Sequence, residues 1–213
     1  METITLTHYL AFIGLALGAI GILLRLREIM NRPFKRDYSR PRGSAFRGVL
    51  YAFTLGMAPW EKESTRLHWV AYLRGIFFHL GIFTAFAVVI FAPWIESLPA
   101  TIRWLAMALT LAGAIFGFAG IFMRLAGKNE RALSLPDDYF SVFLTSLFSA
   151  LAFGALLTPN VLPYLNIVTA LMSVYIPFSK IRHCVYFFYS KFFFGYSFGH
   201  RGVIGPGNQK VIR

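Results

Sequence analysis

Five stretches of about twenty mostly apolar residues constrain this chain more than any other feature of its sequence. A helix of that length crosses the hydrocarbon core of a bilayer, where an open strand edge cannot satisfy its backbone. The stretches lack the apolar–polar alternation of barrel strands. We therefore predict an all-α, polytopic membrane protein built as a bundle of five transmembrane helices. The predicted spans are residues 7–24, 70–91, 102–123, 139–157 and 163–183.

The composition of the chain agrees with this class of protein. Hydrophobic residues make up 57% of the 213 residues and charged residues only 14%, whereas soluble domains average about 25% charged residues. The single cysteine excludes a disulfide framework and a multi-cysteine metal cluster. A loop at 25–69, with a short surface helix expected around 47–57, and a tail at 184–213 complete a single membrane domain, 1–213.

The distribution of lysine and arginine predicts the orientation of the helices. Of the 21 lysines and arginines, ten lie between Arg25 and Arg66, three follow the third span, and six lie from Lys180 onward, all on one side. The positive-inside rule makes that side cytoplasmic. We therefore predict a multi-pass protein of the cell's inner membrane, with its N-terminus on the outer side and its C-terminus in the cytoplasm. The formal net charge of +12 then reflects topology and attraction to membrane lipids, not nucleic-acid binding.

Two histidines within or beside the spans are candidate metal ligands. His79 lies in the second span, and His183 lies at the expected inner end of the fifth. Gly75 and Ser179 each precede one of these histidines by one helical turn, and both are small enough to leave room for a flat macrocycle. Their depths agree within one or two turns, so the pair suits a bis-histidine haem. A histidine that hydrogen-bonds a neighbouring helix is the plainer interpretation of each one alone.

Other polar residues extend this hypothesis. Arg74, Lys180 and Arg182 lie where haem propionates need positive charge, and the absence of a CxxCH motif makes the haem non-covalent, of type b. His68 and His200 are candidate ligands of a second haem; otherwise they are solvated or contact a partner protein. One haem is expected and two are possible.

An aromatic run occupies residues 186–194, where seven of nine side chains are Tyr or Phe and Lys191 is the only charged one. This pattern is typical of a helix that lies at the membrane surface, with the lysine reaching toward water. A hydrophobic docking site for a partner subunit is the alternative.

The sequence around these residues resembles a known family. Phe78-His79-Leu80-Gly81, together with Pro177-Phe178-Ser179-Lys180-Ile181-Arg182-His183, resembles the gamma subunit of respiratory nitrate reductase. The segment Gly195-Tyr196-Ser197-Phe198-Gly199-His200-Arg201-Gly202-Val203 is more similar to the related membrane cytochromes b of heterodisulfide-reductase-type and sulfite-reduction-associated complexes.

The resemblance implies a quinol-linked cytochrome b in which His79 and His183 ligate one haem. It also implies a cytoplasmic iron–sulfur or heterodisulfide-reductase-like subunit as the electron-transfer partner. At the positions of the family's outer haem ligands this chain has Val89 and Leu165, so an outer haem and an adjacent quinol site are not expected. Candidate quinone contacts are Tyr72, Arg74 and His68.

The leading hypothesis is therefore a haem b electron-transfer subunit of a membrane-bound respiratory oxidoreductase. It would link menaquinone or ubiquinone to the cytoplasmic partner without substrate chemistry of its own. The alternative hypothesis is a cofactor-free membrane anchor or scaffold for a soluble complex. A transporter is a weaker alternative, because the spans contain almost no carboxylates or amides to line a path.

Overall fold

The computed structural model describes residues 2–32, 38, 40–61 and 63–204, and in these residues it contains helices and no strand. Within that part of the chain the α-helices are α1 (Glu2–Met30), α2 (Ala45–Phe53), α3 (Glu63–Leu67), α4 (Trp69–Ile90), α5 (Ala100–Ala126), α6 (Lys128–Leu133), α7 (Pro136–Leu157), α8 (Leu162–Tyr175) and α9 (His183–His200). Five of the lysines and arginines used to predict the orientation lie outside the described residues: Lys35, Arg36, Lys62, Lys210 and Arg213.

Five segments are long and apolar enough to cross a membrane, which confirms the predicted all-helical class with five candidate membrane-spanning helices. They are Thr5–Met30, Trp69–Ile90, Ala100–Ala126, Pro136–Leu157 and Pro159–Phe178. The second, third and fourth spans agree with the predicted ones to within three residues at each end. The first is longer than predicted, because α1 continues through its basic end to Met30.

The fifth span ends at Phe178, five residues earlier than predicted, and the expectation that one helix continues to His183 is wrong. The α-helix ends at Tyr175, and two 3-10 turns, Ile176–Phe178 and Lys180–Arg182, follow it. Pro177 has no amide hydrogen, and its ring obstructs the preceding helical turn, so an α-helix cannot continue through it undisturbed.

The side chain of Ser179 closes this break. Its Oγ donates to the carbonyl of Ile176 at 3.2 Å and accepts the amide of Ile181, also at 3.2 Å. Serine competes for backbone groups in this way because its hydroxyl is short and bonds locally. A new helix, α9, then begins at His183 and occupies part of the predicted tail.

The chain divides into two compact units. We call the first, Met1–Arg25 with Leu73–Ile181, the bundle unit, and the second, Leu26–Tyr72 with Arg182–Arg213, the hairpin unit. The five membrane segments lie wholly or largely in the bundle unit.

Small residues let the helices of the bundle unit approach closely. A Cβ added to Gly117 on α5 would lie 2.1 Å from Ser146 Oγ on α7, so these two helices are in contact at this level. One turn away, a Cβ on Gly113 would lie 2.7 Å from the Cα of Gly81 on α4. Since lipid supplies no hydrophobic drive between helices, such close packing is a main source of association.

The hairpin unit consists mainly of α2 packed antiparallel on α9. A Cβ on Gly48 of α2 would lie 2.2 Å from the carbonyl oxygen of Gly195 and 2.5 Å from the Cα of Gly199, both on α9. At one end of the pair the amides of Arg42 and Gly43 donate to the carbonyl of His200, at 3.0 and 3.1 Å. The short surface helix predicted around 47–57 corresponds to α2 with the turn Leu55–Met57.

Candidate functional site

His79 lies near the middle of α4, a helix that is otherwise apolar around this position. Its Nδ1 lies 2.7 Å from the carbonyl oxygen of Gly75, and since a carbonyl only accepts, Nδ1 carries the proton. The imidazole is exposed, and the rings of Phe78 and Phe83 lie 5.8 and 6.4 Å from it. The hydrogen bond fixes the tautomer and restrains the ring, as second-sphere partners do for metal-binding histidines.

Gly75 leaves open space beside this histidine. A Cβ added at Gly75 would have no heavy atom within 4 Å outside its own helix, in contrast to those added at Gly81 or Gly113. Gly75 and His79 are four residues apart and therefore share one face of α4. The face of α4 that carries the histidine thus has both an oriented ring and room next to it.

Arg74 lies in the first turns of α4, within the membrane segment. Its Nη1 is 2.6 Å from the sulfur of Met123 on α5, and no carboxylate lies within ion-pair distance of it in the described part of the chain. A guanidinium in a membrane helix is costly and usually has a partner of opposite charge. Arg74 is therefore a candidate anion-binding residue of the bundle unit.

The two other proposed quinone contacts lie in the hairpin unit, Tyr72 in the first turn of α4 and His68 just before that helix. The hydroxyl of Tyr72 donates to the carbonyl of Met57 at 3.0 Å, so in this arrangement it holds the turn Leu55–Met57. His68 occupies the junction between α3 and α4 and is exposed. A quinone oxygen would have to displace Met57 from Tyr72, whereas His68 is accessible.

The sequence predicted that Ser179 and Lys180 share one helix with His183. In the structure they do not. Ser179 is fully buried in the turn after α8, so it does not open a gap beside His183. The amine of Lys180 is 2.6 Å from Asp138 Oδ2, and a haem propionate would compete with that carboxylate for it. Arg182 ends the second 3-10 turn and is half-buried, and His183 is the exposed first residue of α9.

Two carboxylates that were not among the predicted site residues hold this turn. Asp137, in the first turn of α7, accepts hydrogen bonds from the hydroxyls of Tyr175 and Ser141 and, at 2.9 Å, from the amide of Lys180. Asp138 accepts from the amine of the same lysine. The two aspartates and Lys180, which we call the aspartate clamp, join residues more than forty positions apart in the sequence.

The residues proposed for a second haem both lie in the hairpin unit. His200 is the last residue of α9. Its carbonyl receives the two amide bonds that join the chain before α2 to α9, so its backbone has a structural role. No hydrogen bond or ring contact joins the imidazoles of His68 and His200 among the described residues.

The structure thus brings Gly75 and His79 together on one face, with Arg74 adjacent in sequence. The two proposed axial ligands lie in different units, His79 in the bundle unit and His183 in the hairpin unit. In the described residues no three His, Cys, Asp or Glu side chains group as a site for a bare metal ion. A haem needs only two axial ligands from the protein, so this finding does not bear on it.

Comparison with known proteins adds no relative. No protein-family model, no curated protein and no solved structure matches the chain.

Proposed function

We propose that this chain is the haem b electron-transfer subunit of a membrane-bound respiratory oxidoreductase complex. The observation that carries the proposal is the exposed His79 in the membrane segment of α4, held through Nδ1. Placing an imidazole against lipid costs free energy, whereas an imidazole that ligates a bound cofactor is shielded from lipid and avoids that cost. A ligand that covers this face would therefore remove a cost that the helix otherwise bears.

The residues of α4 fit a haem. A histidine whose Nδ1 donates to a backbone carbonyl coordinates iron through Nε2, in the manner of axial ligands in membrane cytochromes. The open space at Gly75 would accept the edge of a flat ring that a side chain at this position would obstruct. We propose His183 as the second axial ligand on the strength of the sequence resemblance.

Cations are available for the propionates in each unit. Arg74 has sulfur as its recorded hydrogen-bond acceptor, so a carboxylate would be a better partner for its charge. Arg182 directly precedes the proposed second ligand. Bound haem b would supply one-electron chemistry, and the protein would contribute ligation, burial and neutralisation of the propionates.

The proposed electron path runs between membrane quinone, either menaquinone or ubiquinone, and a cytoplasmic iron–sulfur or heterodisulfide-reductase-like subunit. The concentration of lysine and arginine outside the spans supports a cytoplasmic face for the hairpin unit, by the positive-inside rule. His68 and Arg74 are the proposed quinone contacts, together with Tyr72 once its bond to Met57 opens. On this proposal the chain performs no substrate chemistry of its own.

The proposal is tested by measuring haem per chain in the protein purified from haem-replete cells, as its pyridine haemochrome. We expect one haem b per chain, a low-spin bis-histidine spectrum, and loss of the haem in His79→Ala and in His183→Ala. His8→Ala is the matched control and should keep the haem. If the wild-type protein holds one haem and the His68→Ala and His200→Ala variants keep it, the chain has a single haem site. If the wild-type protein holds two haems and these variants lose one, His68 and His200 ligate the second.

A wild-type protein that is folded and contains no haem would contradict the proposal. The same is true of a haem that survives both His79→Ala and His183→Ala. The first result would leave the cofactor-free membrane anchor as the function of the chain.

A further inference from the structure

The surface of α9 carries a row of aromatic side chains that the proposed haem site does not use. Tyr189, Phe192, Phe193 and Tyr196 recur every three or four residues, so they lie on one face of the helix, and together they line a shallow surface cleft. Phe192 and Tyr196 are 54% and 48% exposed, with their rings stacked at 6.2 Å. We call these four residues the aromatic row.

The aromatic row is fixed on a rigid support. α2 packs on α9 with backbone touching backbone at Gly48, Gly195 and Gly199, and the ring of Phe53 stacks on that of Phe188 at 6.3 Å. Three members of the aromatic row, Phe192, Phe193 and Tyr196, remain exposed in this pair, and Tyr189 is half-buried. The exposure of the row is thus a property of a packed helical pair and not of a loose tail.

The unit that carries the aromatic row is rich in positive charge. The two segments of the hairpin unit contain fourteen lysines and arginines against four aspartates and glutamates. On α9 itself no residue is acidic, and the amine of Lys191 lies 5.7 Å from the centre of the Phe187 ring. Exposed aromatic rings with cations and almost no carboxylates match an anionic lipid surface in both polarity and charge.

The position of α9 in the chain brings it to the membrane. The last membrane segment ends at Phe178 and α9 begins at His183. Five residues reach at most roughly 17 Å even when fully extended. The start of α9 is therefore confined to the lipid headgroup region or its immediate vicinity.

We propose that the α2–α9 pair is an interfacial lipid-binding element that inserts the aromatic row into the headgroup–acyl boundary of a leaflet rich in anionic lipid. The occupant of the row is the membrane itself. The inference goes beyond electron transfer and does not require a haem. Its failure would leave the haem proposal intact, and the reverse also holds.

The test is a depth measurement on the full-length protein in nanodiscs. In a Cys184→Ser background, a nitroxide is attached at Phe193→Cys and, in a second variant, at Tyr196→Cys. Its collision rates with oxygen and with a water-soluble nickel chelate are then measured by electron paramagnetic resonance. Asn129→Cys, at an exposed position in α6, is the water-exposed control.

We expect both aromatic-row labels to be at least threefold less accessible to nickel than the Asn129→Cys label in discs with 30% phosphatidylglycerol. Their accessibility to nickel should rise in pure phosphatidylcholine and at 1 M salt. Labels equally open to nickel in every lipid would overturn the proposal. Labels shielded only after a soluble partner protein is added would also overturn it and would assign the row to that partner.

Discussion

At the scale of single residues, Asp137 shows how the membrane bundle holds the break after α8. Its carboxylate accepts three hydrogen bonds, from two hydroxyls and from the amide of Lys180, whereas Asp138 pairs with the amine of that lysine. Both carboxylates also lie in the first turn of α7, where the helix dipole favours negative charge. They differ in their partners, because Asp138 accepts one amide, that of Leu135 at 2.8 Å, and pairs with a lysine side chain that is 47% exposed.

This difference predicts unequal effects of two matched substitutions. Asp137→Ala should lower the free energy of unfolding by about 2 kcal/mol, because it leaves three donors without an acceptor. Asp138→Ala should lower it by only about 1 kcal/mol, because it removes a half-exposed ion pair and a single amide bond at the start of α7. The measurement is chemical unfolding in detergent micelles, followed by circular dichroism. Equal losses, or a larger loss for Asp138→Ala, would contradict the clamp as described.

The sequence revealed part of this region and could not reveal the rest. The spacing of Gly75 and His79 predicted a shared face because helical periodicity is local, and the structure has both residues on one face of α4. The clamp depends on partners more than forty residues apart, which no local pattern reports. Whether the two proposed ligands meet on one haem depends on the same kind of long-range contact and remains a proposal.

At the scale of helices, glycine positions separate close contacts from open faces. Two glycines of α5 make a matched pair. A Cβ on Gly113 would meet the backbone of Gly81 at 2.7 Å, whereas a Cβ on Gly120 would meet nothing within 4 Å. A backbone atom cannot rotate away as the end of a side chain can, so the first contact forces the helices apart.

The same substitution should therefore have opposite effects at these two positions. Gly113→Ala is expected to destabilise the bundle by about 1–3 kcal/mol through overpacking. Gly120→Ala should be neutral or stabilising by up to about 1 kcal/mol, because alanine is the better helix former. Unfolding of both variants in the same micelles provides the comparison. A stable Gly113→Ala protein would show that α4 and α5 do not approach as closely as described.

The number of membrane segments was easier to predict than their ends. Apolar runs near twenty residues long identify membrane segments almost independently of context, so the five spans were found. The predicted fifth span continued through Pro177 as one helix, and instead the α-helix ends at Tyr175, two residues before the proline. Proline permits a helix either to bend or to end. Here the hydroxyl of Ser179 and the carboxylate of Asp137 hydrogen-bond to backbone groups of the turn and so stabilise the end of the helix. Ser179 is two residues from Pro177, whereas Asp137 is forty residues away, so a local sequence pattern could indicate only the first.

At the scale of the whole molecule, charge asymmetry is the feature that predicts its orientation. Nineteen of the 21 lysines and arginines lie in segments that the order of the predicted spans puts on one side of the membrane. Arg74 is the only lysine or arginine among the 22 residues of α4. If this side is cytoplasmic, α9 and its single cysteine face the cytoplasm. The chain therefore carries a natural probe of its own topology.

Cys184, exposed at the start of α9, should react with a membrane-impermeant maleimide in inverted vesicles and not in intact spheroplasts. Partial burial of the sulfur raises the pKa of the thiol, so the reactive thiolate is scarce at neutral pH and labelling should accelerate from pH 7 to pH 9. Glu96→Cys in a Cys184→Ser background is the matched control. It lies in the exposed turn Ala92–Ser97 between the second and third spans, and it should react only in spheroplasts. Labelling of Cys184 from outside would reverse the orientation and remove the argument for a cytoplasmic electron-transfer partner.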